Sequence, residues 1–107
     1  MKEATLNKNA VAALNRIDGC LARKRSAHIN NKGQPDVTGC IRGIRFELEG
    51  KLEGNRPTKI QRKRLREWED AGAITGVYYS AAEAVQIVET GYWKRMHELR
   101  KIFNDKI

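Results

Sequence analysis

The chain has 107 residues and a mass of 12.2 kDa, which is room for one hydrophobic core and excludes a second folded domain or a long repeat array. Apolar residues make up 40% of it and no apolar run approaches the roughly 18 residues of a membrane span, while Met1-Lys2-Glu3-Ala4-Thr5 is followed by no apolar stretch of a secretory signal, so a cytoplasmic protein with no membrane partner is expected. Twenty-one Lys and Arg against 13 Asp and Glu give a net charge of +8, a surface that attracts polyanions.

Leu6, Ala10, Val11, Leu14 and Ile17 recur at helical spacing, which predicts an amphipathic helix from about Thr5 to Ile17, stopped by Gly19. Residues 20–29 fit a strand better than a helix after that break, and 30–35 have loop composition. Val37 to Ile41 and Ile44 to Leu48 flank Arg42-Gly43 and predict a β-hairpin; a two-residue type I′ turn asks Arg42 for positive φ, so a wider loop stays open at this point. Thr58 is a candidate N-cap for a helix with the apolar stripe Ile60, Leu65, Trp68 and Ala71, ended by Gly72. Ile74 to Tyr79 reads as a strand. Ser80-Ala81-Ala82-Glu83 matches a capping box and starts a third helix packed down by Ala84, Val85, Ile87 and Val88. Past Thr90-Gly91, Tyr92 to Phe103 predicts a separate amphipathic helix, about 91–105, with Trp93, Met96, Leu99 and Phe103 on one side, which covers the core or another subunit.

The charge is unevenly placed. From Arg56 to Arg66 the basic residues Arg56, Lys59, Arg62, Lys63, Arg64 and Arg66 occur with no acid among them, and Glu67, Glu69 and Asp70 follow at once. Such a helix face suits a phosphate backbone, with Arg23, Lys24, Arg25 and Lys32 as an extension, and contacts of this kind give salt-sensitive binding with little base reading.

A turn about Arg42-Gly43 sets Ile41 opposite Ile44, and counting back along both arms sets Asp36 opposite Glu49. Directly opposed side chains have Cβ atoms only about 5 Å apart, where two like charges are destabilising unless something positive lies between them. Strand alternation also puts Glu47, Glu49 and Lys51 on the face opposite Phe46 and Leu48. Asp36 with Glu49 would suffice for Mg²⁺, which takes one or two carboxylates and completes its shell with water and phosphate, and Lys51 would hold the phosphate or the attacking water. A three-residue turn would slip this pairing.

Gly33-Gln34-Pro35-Asp36, then Glu49-Gly50-Lys51, then Gln61 on the following helix resembles the PD-(D/E)xK nuclease superfamily and within it the VRR-NUC family, over about Glu3 to Val88 and including Asp70-Ala71-Gly72 ahead of the strand to Ser80. The resemblance implies an α/β fold in a single 1–107 domain: a mixed four-stranded sheet flanked by helices in the order αβββαβ, core about 3–89, with an extra C-terminal helix. It implies Asp36 and Glu49 as ligands of Mg²⁺ or Mn²⁺, the main-chain carbonyl of Gly50 as another, Lys51 as the catalytic lysine, Gln61 near the metal or scissile phosphate, and Glu3 as an acid that closes the site. Stand-alone members of this length resemble virus-encoded homodimeric enzymes of branched DNA, which implies Holliday junction resolution in a host-cell cytoplasm, with two active sites supplied by dimerisation. Other readings are a flap, nick or general duplex nuclease, or a non-catalytic DNA-binding module. Two features depart from the family pattern: Glu47 offers a second acid, as a ligand, substrate contact or solvated neighbour, and Gly50 stands where an apolar β-former is expected.

The remaining chemistry-bearing residues have plainer readings. His28 and His97 lack partners at metal spacing and read as surface or packing residues. Cys20 and Cys40 read as reduced packing residues, and Trp68 and Trp93 as core or interface.

Overall fold

The hairpin closes in two residues. Arg42 at φ +45° and Gly43 at φ +88° form the positive-φ pair of a type I′ turn, and the register Ile41↔Ile44 through Val37↔Leu48 is the one that the alternation requires. Arg42 is held in this unusual region by its N–H donating to the Gly19 carbonyl, 2.8 Å, and by its guanidinium lying 4.9 Å from the centroid of the Tyr92 ring. A Cβ on Gly43 would meet nothing, so Gly43→Ala should cost only the conformational term, about 1 kcal/mol in chemical denaturation, with no change in denaturant slope.

A computed structural model describes residues 1–26 and 31–106. In chain order these form α1 (Glu3–Leu14), β1 (Cys20–Lys24), β2 (Val37–Ile41), β3 (Ile44–Gly50), α2 (Lys59–Asp70), β4 (Ile74–Tyr78) and α3 (Ala81–Asp105). The sheet order is β1-β2-β3-β4, antiparallel except for the parallel β3–β4 pair, whose strands are joined through α2. This is the mixed four-stranded α/β sheet expected. The predicted strand 20–29 is shorter, ending at Lys24, and its segment from Ala27, including His28, lies outside the described residues.

Strand parity divides the sheet. Ala22, Val37, Ile41, Phe46, Leu48, Ile74 and Tyr78 face α1 and α3 and make the core with Leu6, Ala10, Leu14, Ala84 and Val88. The opposite face carries Thr38, Glu47, Glu49 and Thr75 and is crossed by α2, which buries no residue fully and leans on it through half-buried Ile60, Leu65 and Trp68. At the end of α1 the Asn15 side chain bonds the main chain of Ala22 in both directions, 3.1 and 2.8 Å, fastening that helix to β1. The helix starts at Glu3 and ends at Leu14, earlier at both ends than the apolar spacing predicts.

The two C-terminal helices expected from Thr90-Gly91 are one. α3 runs unbroken for 25 residues, because Gly91 serves close packing rather than termination: a Cβ there would lie 2.6 Å from the Ile74 side chain beneath it. Glycine inside a helix costs about 1 kcal/mol against alanine, which the approach of helix to sheet offsets. At about 1.5 Å per residue α3 is longer than the sheet is wide, and its last turns carry Trp93, Leu99, Ile102 and Phe103 with half or more of their surface exposed. Trp93 is therefore no core residue, and Cys40, read as a packing residue, faces solvent.

Candidate metal and phosphodiester site

Asp36 sits one residue before β2, and the register carries it opposite Glu49. Its N–H donates to Glu49 Oε1, 3.2 Å, its carboxylate Oδ2 accepts from the Gly50 N–H, 3.1 Å, and its carbonyl accepts from the Arg25 N–H, 2.8 Å. Two acids predicted from the hairpin register to face each other are thus tied together through main-chain groups. Glu49 is fully buried, and among the described residues its Oε2 accepts no hydrogen bond. Lys51, also buried, brings its Nζ to 3.9 Å from that oxygen.

These surroundings disfavour charge on Glu49. Burial, then the side-chain interaction with the Asp36 carboxyl and its charge, push the Glu49 carboxyl up to about 8, and Lys51 and the Asp36 N–H offset only part of this. Two close carboxylates, one with an orphaned buried oxygen, fit a divalent cation, which would take the free lone pairs and remove the repulsion. Among the described residues no group of three Cys, His, Asp or Glu side chains gathers around one point, so the side-chain donors for such a cation would be two carboxylates, the rest being main-chain oxygen, water or phosphate as hard cations accept.

Gly50 has a structural reason. A Cβ would run into Asn7 Oδ1 and come within 2.9 Å of the Tyr78 ring, and the Tyr78 hydroxyl donates to that same Asn7 oxygen at 2.5 Å. There is no bulge, since Gly50 stays in register with Tyr78. Glu3, one helical turn before Asn7, is half-buried on the same side of α1. Burial, then the charges of Asp36, Glu49 and Glu3, raise the pKa of the Tyr78 hydroxyl, so all three acids reach one neighbourhood.

Gln61 is engaged elsewhere. Its Oε1 accepts from the Thr58 N–H, 2.8 Å, and its own N–H donates to Thr58 Oγ1, 3.3 Å, a full capping box at the start of α2. Thr58-x-x-Gln61 carries that signature in the sequence, where only Thr58 was read as a cap. At Ser80 the box is half formed: its hydroxyl accepts from the Glu83 N–H, but the Glu83 carboxylate reaches the Tyr79 N–H instead.

Glu47 is distinct from Glu49. It is completely buried, with Oε1 accepting from Arg25 and Oε2 from Thr38 Oγ1 and from Arg45 Nε, the last at 2.9 Å. Three of its roughly four lone-pair sites are taken, so it is not a solvated neighbour. Arg25 and Arg45 lie 5.8 and 4.4 Å from the Trp68 ring centroid, and Trp68 Nε1 donates to Gln34 Oε1, 2.9 Å. This cluster draws on residues far apart in sequence. The one clue beforehand was parity, which placed Glu47 on the polar face.

Of the basic residues, Arg56, Lys59, Arg62, Lys63 and Arg66 are exposed around α2, as are Arg23 and Lys32. Arg64 pairs with Glu67 at 3.0 Å, and Arg25 is turned inward, its side chain only 15% exposed.

No protein-family model and no curated protein sequence matches the chain. A solved structure described as a "VRR_NUC domain" superposes with a TM-score of 0.66 at 26% identity, over 81% of this chain and 94% of that one. No helix of the described residues is long and apolar enough to cross a membrane. The mixed sheet with its three helices and that superposition give the chain a VRR_NUC-like PD-(D/E)xK nuclease fold and support membership of the VRR-NUC family.

Proposed function

We propose that the protein is a divalent-metal-dependent endodeoxyribonuclease that hydrolyses phosphodiesters of branched DNA, a Holliday junction resolvase acting as a homodimer. The observation that carries the reading is the buried set Asp36, Glu49 and Lys51, with the Glu49 oxygen left free, on the sheet face crossed by a basic helix. Asp36 and Glu49, with the Gly50 carbonyl, would hold Mg²⁺ or Mn²⁺, whose Lewis acidity makes water a stronger acid and offsets phosphate charge. The Lys51 ammonium orients the attacking water or a phosphate oxygen and stabilises the negative charge that develops as the phosphodiester bond breaks. Arg56, Lys59, Arg62, Lys63 and Arg66, with Arg23 and Lys32, track the DNA backbone. Glu3 borders the site from α1, and Gln61, at the start of α2, is the glutamine that the family pattern puts near the metal or the scissile phosphate. Symmetric paired cuts need two sites, and the exposed stripe of Trp93, Leu99, Ile102 and Phe103 on α3 suits a second copy.

The test is Mg²⁺-dependent cleavage of a labelled four-way junction beside a matched linear duplex and a flap. The wild type should cut the junction in symmetric pairs, and Lys51→Ala should lose about 10²–10³-fold in rate with DNA binding retained. Phe103→Asp should leave single cuts and a monomer in sedimentation. Equal cutting of all three substrates would leave a general nuclease, and binding without any metal-dependent product would leave a DNA-binding module.

A further inference from the structure

A buried carboxylate two residues from the metal-binding one needs an account. Taking an acid and the Arg25 guanidinium largely out of water costs several kcal/mol per ion, Arg45 staying half exposed, and well-packed apolar residues of similar volume would stabilise the fold as well or better. Stability alone therefore does not explain Glu47, and what an ion cluster supplies beyond an apolar patch is fixed direction. The directions here converge on Asp36. Arg25, the acid's closest ion partner, donates its main-chain N–H to the Asp36 carbonyl. Thr38, bonded to the other carboxylate oxygen, follows Asp36 by two residues on the same face of the hairpin. Trp68, stacked by both arginines, holds Gln34, two residues before Asp36. The assigned β1–β2 ladder ends at Lys24↔Val37, and the Arg25 N–H to Asp36 carbonyl bond carries the same register one residue further.

We propose that Glu47 is a positioning residue: through Arg25, Thr38, Arg45 and Trp68 it fixes the main chain on both sides of Asp36, and so sets the place of that carboxylate against Glu49. This rests on the metal-site reading above, and it gives the inward-turned Arg25 a role through its main chain rather than on DNA. The Gly50 N–H, bonded to Asp36 Oδ2, is a built-in reporter of where that carboxylate lies.

The experiment compares wild type, Glu47→Gln and Arg25→Lys by Mn²⁺ titration followed by electron paramagnetic resonance, and by the amide resonances of Gly50 and Asp36 in metal-free protein. Glu47→Gln should weaken Mn²⁺ binding about 10–100-fold, the usual effect of losing a group that orients a ligand, and shift the Gly50 amide resonance. Arg25→Lys, which keeps the charge but loses the planar fork, should move both in the same direction by less, and it decides the matter if Glu47→Gln does not fold. A folded variant of lower Tm whose Mn²⁺ affinity stays within twofold and whose Gly50 resonance is unmoved would make the cluster purely structural and overturn the proposal. If the wild type binds no Mn²⁺ the metal reading fails, and the Gly50 resonance still decides whether Glu47 places Asp36.

Discussion

Glu49→Gln should lower metal-dependent cleavage by about 10²–10³-fold and at the same time raise the melting temperature of the metal-free protein. The two effects have one origin. The oxygen that would meet the cation is buried and without a hydrogen-bond donor, so in metal-free protein it is a cost, about 1–3 kcal/mol for a buried unpaired acceptor. The sign with pH follows from the carboxyl being raised from 4.5 to about 8 in the fold. Below 4.5 the group is protonated folded and unfolded, and the favourable protonated state is fully available. As pH rises toward 8 the unfolded chain gives up a proton that the folded chain retains, so stability is lost, and above 8 the loss is complete. Glutamine does not titrate. Melting curves in chelator should therefore show the variant ahead by a margin that widens from about pH 5 to about pH 9. A margin that is flat or narrows with pH would mean that Glu49 is already ionised at no cost in the metal-free fold.

Gly50→Ala should be strongly damaging for a single added methyl. The added carbon meets the Asn7 oxygen and the Tyr78 ring, the two partners of a buried hydrogen bond that ties α1 to β4. Overpacking costs about 1–3 kcal/mol and breaking that hydrogen bond a similar amount, so a loss of about 3 kcal/mol, on the order of 10–20 °C in melting temperature, is expected. Asn7→Ala alone should also destabilise, but combined with Gly50→Ala it should cost less than the sum, since it removes the atom that the methyl strikes. Strict additivity would show that the clash is relieved by backbone movement instead.

The hairpin register, and with it the meeting of Asp36 and Glu49, was legible because a period of two and a two-residue turn leave one pairing that buries Phe46 and Leu48 together. The order of strands and helices was legible for the same reason: each element has its own apolar period and its own stop. The failures have a different physical origin. Gly91 looks like punctuation in one dimension and proves to be a point of contact with Ile74, a residue of another element. Glu47 and Arg25 look like solvated charges, yet their burial depends on Trp68 and Arg45 reaching the same spot from α2 and β3. The capping role of Gln61, by contrast, is written in the local spacing Thr58-x-x-Gln61.

The thin attachment of α2 has a kinetic consequence. A helix that buries no residue fully, and stands on the sheet through Ile60, Leu65 and Trp68, has little to lose by transient detachment, whereas α1 and α3 cannot leave without opening the core. Amide protons of α2 should then exchange with solvent well before those of β3, through openings much smaller than global unfolding. Of the three helices, the one that carries the basic cluster thus has the shallowest hold on the sheet, while Asp36 and Glu49 stay fixed on the strands beneath it.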